Sequence, residues 1–206
     1  MPSKGVPSRR LDFVLAAQSL FEEKGFENTS VDDIAARVGV AKGLFYYYFG
    51  SKEEMLEVII ERLMDEIDSS IAAAMEKKGL SAIERFSELI SASTDVTSRS
   101  KVLLSYFQKE RNQACHLAME KRAMNMIAPA LEQIIRQGNE EGVFDAPHPI
   151  STAIALAVML NGVRRSFPTD LTAEEVVHVA AVMQHLSERL LGARPGTITA
   201  YHDQLP

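Results

Sequence analysis

Apolar residues along this chain recur at the spacing of an α-helix. In the first segment one face carries apolar residues at i, i+4, i+7 and i+8, namely Phe13, Ala17, Leu20 and Phe21. Lys24 and Gly25 then supply a basic last turn and a terminating glycine. The alternation typical of β-strands is nearly absent. The pattern predicts an all-α protein whose first helix covers residues 9–24.

Two short helices are predicted next. Ser30 and Asp33 have the spacing of a capping box at the start of the first one, and Gly39 ends it. The second short helix is predicted over residues 41–49. Another capping box, Ser-Lys-Glu-Glu, opens a long helix over residues 51–78. Two short helices joined by a glycine turn, after a longer helix, indicate a helix-turn-helix.

Longer helices are predicted beyond Gly79, with Pro129 as a kink in one of them. They cover residues 81–95, 99–107, 112–141, 149–167 and 172–191. The tail from Gly192 onward contains two prolines and two glycines, and we expect it to be mobile or extended. The predicted domains are a helix-turn-helix domain of residues 1–51, a larger helical domain of residues 52–192, and a C-terminal tail of residues 193–206.

Composition narrows the class of protein. The chain has 206 residues and a net charge of −6, and the acidic excess lies entirely in residues 51–206, because residues 1–50 hold six basic and six acidic side chains. This distribution argues against a protein that coats nucleic acid over its whole surface. The single cysteine, Cys115, excludes an intramolecular disulfide and a four-cysteine zinc site. We expect a cytoplasmic protein, because the sequence shows neither a secretory signal nor a membrane-spanning segment.

The second short helix displays an unusual mixture of side chains. It places Lys42, Gly43 and three consecutive tyrosines, Tyr46, Tyr47 and Tyr48, within seven residues. An aromatic run at helical spacing is often only core. Three consecutive residues, however, sweep about 200° around a helix, so these rings cannot all face one core. At least one phenol must face outward, where it suits a phosphate or a base edge.

The run from Gly25 to Ala35, followed by the run from Gly39 to Glu54, resembles the DNA-binding domain of the tetracycline-repressor (TetR) family. The resemblance covers roughly residues 8–55. It implies a helix-turn-helix that binds double-stranded DNA, followed by a divergent helical domain for ligand binding and dimerisation. A homodimer that recognises an inverted-repeat operator is the assembly that the family implies.

The resemblance also implies roles for individual positions. Lys42 and Gly43 match residues at base edges or nearby phosphates, and Lys52 matches a phosphate ligand at the start of the next helix. Ala41 and Leu44 depart from the family, which often has Ser or Thr at the first position and a small or polar residue at the second, so we expect Leu44 to contact a thymine methyl. The expected DNA-binding residues are Thr29, Ser30, Ala41, Lys42, Gly43, Leu44, Tyr46, Tyr47, Tyr48 and Lys52.

The last two helices carry apolar residues suited to packing against other helices. The final helix repeats them at intervals of 3, 4, 3 and 4, at Val176, Val179, Met183, Leu186 and Leu190. The preceding helix has a similar set, Ile150, Ala153, Ala157 and Leu160. We expect a homodimer joined through a four-helix bundle built from these two helices.

Apolar residues of the middle helices are either ordinary core or the wall of a ligand pocket. The family implies the pocket, and methionine flexibility favours it. The candidate lining residues are Phe86, Ile90, Leu103, Tyr106, Phe107, Cys115, His116, Met119 and Met126. A mainly apolar effector is expected, with Gln113, His116 and Arg164 as candidate polar contacts.

The sequence offers no convincing set of residues for a catalytic site or a metal site. Cys115 and His116 are adjacent on a helix and point about 100° apart, which is poor geometry for a nucleophilic pair. His178 and His185 can share a helix face, but two imidazoles on one helix are more often surface residues than a metal site, so we expect no metal and no cofactor. The leading hypothesis is a repressor released from DNA by a ligand. The alternatives are an activator, a regulator with a protein partner, and an all-helical enzyme or carrier of an apolar ligand.

Overall fold

A computed structural model of the protein describes residues 6–103, 113–166, 172–199 and 201, and these residues form helices without any strand. The helices are, in chain order, α1 (Val6–Lys24), α2 (Val31–Val38), α3 (Lys42–Tyr48), α4 (Lys52–Glu76), α5 (Ala82–Arg99), α6 (Gln113–Glu140), α7 (Pro149–Ser166) and α8 (Ala173–Leu191). The prediction of an all-α fold is therefore confirmed. Residues 101–103 are also helical, and Ser100 separates them from α5.

The helix ends follow local capping chemistry. Ser81 caps α5 by accepting from the Glu84 N–H, and Thr172 caps α8 in a reciprocal capping box with Glu175. Gly192 ends α8 in the left-handed conformation. Pro129 lies inside α6, at the position where the sequence predicts a kink.

The described residues group into two compact units. Residues 6–66 and 96–103 form the first unit, and residues 67–95, 113–166, 172–199 and 201 form the second. These units are defined by contacts within the fold, whereas the boundaries at residues 51 and 192 concern functional domains and stay a prediction.

An aromatic cluster forms the centre of the first unit. Phe13 of α1 meets Phe45 of α3 edge-to-face at 5.9 Å between ring centroids, and Phe49 lies 5.6 Å from Phe45. All three rings are essentially fully buried. Edge-to-face pairs of this kind add about 0.5–1.5 kcal/mol beyond the burial of apolar surface. The cluster fixes α3 against α1.

In the second unit α6 packs against α7, and α7 packs against α8. The interior contains Leu131 and Ile134 of α6 together with Leu156 of α7, all fully buried. The predicted helices over residues 112–141, 149–167 and 172–191 thus form one packed body within this unit.

The C-terminal tail packs into the second unit. Ile198 is fully buried, and Tyr201 is 8% exposed with its ring edge-to-face on Phe86 at 6.2 Å. The Tyr201 hydroxyl lies 2.8 Å from the Ser187 hydroxyl, and the Ile198 N–H donates to the buried Glu188 carboxylate at 3.1 Å. These residues are packed rather than mobile, because two apolar side chains and a buried acceptor on α8 hold the segment in place.

Candidate nucleic-acid interface

The helix α2 is held by its own ends. The Ser30 hydroxyl accepts from the Asp33 N–H, and the Asp33 carboxylate accepts from the Ser30 N–H at 2.8 Å. Gly39 ends the helix at φ +76, a backbone conformation that favours glycine. The capping box predicted at Ser30 is confirmed, and the turn that follows it sets the start of α3.

One face of α3 is buried and the other faces solvent. Phe45 is completely buried and Tyr48 is half-buried against Phe13, whereas Tyr46 is 52% exposed and Tyr47 is 73% exposed. This confirms the inference that the three tyrosines cannot share one core. The exposed face of α3 therefore presents phenol hydroxyl groups to solvent.

The start of α3 is open to close approach. Lys42 and Gly43 are exposed, and a Cβ added at Gly43 would meet no atom within 4 Å. The backbone at this glycine can approach a flat partner more closely than a larger residue allows. Ala41, just before the helix, is also exposed, and Leu44 is half-buried.

Ion pairs surround the two short helices. The Lys24 ammonium lies 2.9 Å from the Asp33 carboxylate, and the Arg37 guanidinium lies 2.8 Å from the Glu23 carboxylate. Both pairs join α1 to α2. The Arg37 guanidinium and the Ser19 hydroxyl lower the pKa of Glu23 to about 2. The Lys24 ammonium and the Ser30 hydroxyl hold the pKa of Asp33 well below its ordinary value. Exposed pairs contribute little stability, but bidentate geometry such as that of Arg37 fixes orientation.

A third ion pair lies at the start of α3. The Lys42 ammonium is 2.8 Å from the Asp32 carboxylate of α2, and both side chains are largely exposed. The hydrogen bond that the Lys42 ammonium donates to Asp32 raises the pKa of Lys42 above its ordinary value. Sequence reasoning did not select Asp32, because a charge ten positions away indicates a contact only once the turn between α2 and α3 is known.

Lys52 is engaged by the protein itself. Its ammonium donates to the carbonyl oxygens of Phe26 at 2.8 Å and Thr29 at 2.9 Å, and it lies 4.2 Å from the centre of the Phe26 ring. These contacts join the first turn of α4 to the loop before α2. The Lys52 ammonium has three N–H donors. Because two of them bond to carbonyl oxygens, one remains for a phosphate.

Thr29 is not at the surface. It is 1% exposed, and its hydroxyl donates to the Gly25 carbonyl at 2.8 Å. The side chain that the resemblance places among the DNA-binding residues is therefore buried and engaged within the protein, and Thr29 is not part of the exposed surface. Ser30 remains exposed beside the start of α2.

The comparisons with known proteins agree with this geometry. The family model described as "Bacterial regulatory proteins, tetR family" matches residues 14–59, which span the core of α1, both short helices and the start of α4. A TetR/AcrR-family transcriptional regulator from Thermobifida fusca is 27% identical, with a TM-score of 0.64, over 89% of this chain and 97% of its own. The helix-turn-helix of this chain, within residues 14–59, is therefore a TetR-family DNA-binding domain.

Two relatives extend the match beyond the short helices. YfiR of Bacillus subtilis, an uncharacterized HTH-type transcriptional regulator, is 27% identical over 157 residues, which cover 74% of this chain and 76% of YfiR. KstR2 of Mycobacterium tuberculosis, an HTH-type transcriptional repressor, is 28% identical over 145 residues, which cover 68% of this chain and 70% of KstR2. This chain is a DNA-binding transcriptional regulator.

The residues expected to line a ligand pocket divide into three groups. Phe86 and Ile90 are buried in the second unit, and Met126 is half-buried on α6. Leu103 is fully buried but belongs to the first unit. Outside the described part are Tyr106 and Phe107, and the side chains of Gln113, Cys115, His116, Met119 and Arg164.

The first unit also contains an open cleft of about 700 Å³ between α1, α4 and residues 96–101. At its edge the Glu22 carboxylate accepts from the Ser100 hydroxyl at 2.6 Å and from the Lys101 N–H at 2.7 Å. Glu22 thus caps the helix that begins at Lys101, where unpaired N–H groups attract an anion. This contact joins α1 to the segment of chain after α5.

Within the described residues no three His, Cys, Asp or Glu side chains are arranged to hold a metal ion. None of the described helices is long and apolar enough to span a membrane.

Proposed function

We propose that this regulator is a homodimeric repressor that leaves an inverted-repeat operator when a mainly apolar small molecule binds its helical domain. The observation that carries the DNA part is the exposed face of α3, with Lys42, Gly43, Tyr46 and Tyr47 fixed on a buried aromatic core. A recognition helix of a helix-turn-helix places its N-terminal residues at base edges in the major groove. KstR2, a relative named as a repressor, supports the sign of regulation.

The proposed DNA contacts follow the exposure of each residue. We assign Lys42, Gly43 and Ala41 to base edges or adjacent phosphates, and Tyr46 and Tyr47 to the sugar-phosphate backbone. The remaining proposed contacts are those of Ser30, Leu44, Tyr48 and Lys52. Because the protein must reach DNA, a cytoplasmic location is part of the proposal.

The proposed dimer interface lies on α7 and α8. Each helix exposes aliphatic residues at i, i+4 and i+8, and the two stripes are Ile150, Ile154 and Val158 on α7, and Val182, Leu186 and Leu190 on α8. Contiguous exposed apolar residues on adjacent helices are typical of a surface that another chain covers.

The exposed residues of α7 and α8 differ in part from the dimer contacts that the sequence predicts. Met183, placed in the dimer seam by the sequence, is 6% exposed within one chain, and Ala153 and Ala157 are buried as well. These three residues belong to the interior of the second unit. We therefore assign the dimer contact to Val182 rather than to Met183.

One experiment tests the assembly and its DNA target together. Duplexes selected from a random library by the purified protein are expected to contain an inverted repeat, because two-fold protein symmetry requires two related half-sites. Val182→Glu is expected to yield folded monomers that lose the inverted repeat, whereas Met183→Glu is expected to unfold the second unit. A wild-type monomer at micromolar concentration, or an asymmetric single half-site bound at full affinity, would contradict the proposal.

A separate experiment tests the proposed release from DNA by a small molecule. A ligand that prefers the DNA-free conformer must raise the unfolding temperature and lower operator affinity together. A library of apolar and amphipathic compounds, scored by both measurements, tests this linkage. Compounds that stabilise the protein without changing operator affinity would contradict ligand release and favour a regulator that responds to a protein partner.

A further inference from the structure

The two neighbouring acids at the start of α2 have different partners. Asp33 is committed to the capping box with Ser30 and to Lys24. Asp32 takes no part in that cap, and its carboxylate lies 2.8 Å from the Lys42 ammonium at the first residue of α3. The side chain of Asp32 is 68% exposed and that of Lys42 is 48% exposed, so the pair lies on the surface of the helix-turn-helix.

An ion pair at this position is a poor ligand for phosphate. A carboxylate next to a DNA phosphate is repelled, and an ammonium already paired with that carboxylate gains less from the phosphate. Two neighbouring basic residues in the sequence, Lys24 at the end of α1 and Arg37 of α2, are also paired with acids. The Asp32–Lys42 pair therefore favours the base edges of the major groove over the backbone.

The pair presents one donor and one acceptor at the spacing of a base pair. In the major groove the guanine O6 accepts and the cytosine N4 donates, and a hydrogen bond of about 2.9 Å joins these two atoms. The 2.8 Å between the Lys42 Nζ and the Asp32 Oδ2 matches that separation. We propose that Asp32 and Lys42 act as one unit that reads a G·C base pair in each half-site, with Asp32 as a specificity-determining residue.

This arrangement ranks the four base pairs. With G·C, Lys42 meets the O6 and N7 acceptors of guanine while Asp32 meets the N4 donor of cytosine. T·A keeps the order of acceptor and donor, but Lys42 then meets a methyl group and Asp32 approaches the N7 acceptor of adenine. C·G and A·T reverse the order, which sets carboxylate against acceptor and ammonium against donor. The expected order is G·C first, T·A second, and the two reversed pairs last.

The inference rests on the proposed function, because it requires α3 to contact bases in an operator. The test uses duplexes selected from a random library by the wild-type protein, with all four base pairs then placed at each position of a half-site. One position is expected to prefer G·C over C·G by about ten- to a hundredfold. Asp32→Ala, Asp32→Asn and Lys42→Ala are compared with Glu57→Ala, which removes an exposed acid from α4.

Asp32→Ala is expected to reduce the preference at that one position to a few-fold and to leave the others unchanged. It should also strengthen binding to scrambled duplex and steepen the salt dependence by about two per dimer, because the two released Lys42 ammonium groups then pair with phosphates. Asp32→Asn, which keeps an acceptor but loses the charge, should lie between wild type and Asp32→Ala. The double variant Asp32→Ala/Lys42→Ala should discriminate no worse than Lys42→Ala, since the pair acts as a unit.

Two results would overturn the inference, and they have different meanings. If wild-type protein prefers no sequence, both this inference and the proposed function fail. If wild-type protein selects an inverted repeat but Asp32→Ala behaves like Glu57→Ala at every position, the inference fails while the proposed function stands. Far-ultraviolet circular dichroism of each variant confirms that the helices are retained.

Discussion

The surfaces that we propose for partner binding differ in kind between the two units of this protein. The first unit buries Phe45 and exposes Lys42, Tyr46 and Tyr47, whose polar groups can form hydrogen bonds with DNA. The second unit exposes aliphatic stripes on α7 and α8, including Ile154 and Val182. An exposed polar aromatic surface suits a hydrated, charged partner, whereas an exposed aliphatic surface suits another apolar surface. The contrast supports the proposal that the first unit reads DNA and the second unit joins two chains.

The largest expected effect concerns the aromatic core below the recognition helix. Phe45→Ala removes a fully buried ring in contact with Phe13 and Phe49, and it should lower the free energy of unfolding by about 3–5 kcal/mol. Tyr47→Ala, at a 73% exposed position on the same helix, should change it by less than about 0.5 kcal/mol. Urea denaturation measures both. Similar losses for the two variants would show that α3 lacks one buried and one exposed face.

The next effect tests whether the tail is part of the second unit. Ile198→Ala should cost about 2–4 kcal/mol of unfolding free energy, because the side chain is fully buried. Thr199→Ala changes the adjacent exposed residue and serves as the matched control. Thermal unfolding followed by circular dichroism distinguishes them. Equal and small changes would mean that the tail does not pack against α8.

A smaller effect is expected at Lys52. Removing its ammonium leaves two carbonyls of the loop before α2 without their donor, so Lys52→Ala should cost about 1–2 kcal/mol of stability, reduced by partial exposure. It should also weaken operator and scrambled DNA alike, since a phosphate contact carries no sequence information. Unfolding curves and binding isotherms at several salt concentrations separate the two roles. A loss of sequence discrimination with unchanged stability would contradict both.

The smallest effect is a pH dependence of the tail. Burial raises the pKa of Tyr201 from 10 to about 12, although the Ser187 hydroxyl opposes the shift. A group whose pKa is higher in the folded state contributes full stability below its unfolded pKa, and that contribution is lost as the pH rises through the folded value. The tail should therefore loosen between about pH 10 and 12. Absorbance of tyrosinate in wild type and Tyr201→Phe checks this, and ionisation of Tyr201 near pH 10 would contradict the buried position.

The sequence predicts features that depend on neighbouring residues. Three features follow from spacing along one helix: the capping box of Ser30 and Asp33, the glycine that ends α2, and the outward direction of at least one tyrosine of α3. The pairing of Asp32 with Lys42 depends instead on the angle that the turn between α2 and α3 creates. No local pattern predicts that angle.

The second unit shows a similar limit. A helix with apolar residues on several faces does not reveal which face is inside, and the heptad pattern therefore selects Met183, which is buried, and not Val182, which is exposed. The sequence also does not predict the packing of Ile198 and Tyr201, because a segment with glycine and proline has no helical periodicity. Its partners on α8, Ser187 and Glu188, become visible only in three dimensions.

The most direct test of the central claim is the ratio of dissociation constants for a selected operator and a scrambled duplex, measured for wild type and Lys42→Ala at two salt concentrations. We expect the wild-type ratio to be at least about a thousandfold. We expect Lys42→Ala to reduce it by about ten- to a hundredfold per half-site, because the exposed start of α3 reads bases. An unchanged ratio in Lys42→Ala, with both duplexes weakened equally, would contradict the claim that this end of α3 reads the operator sequence.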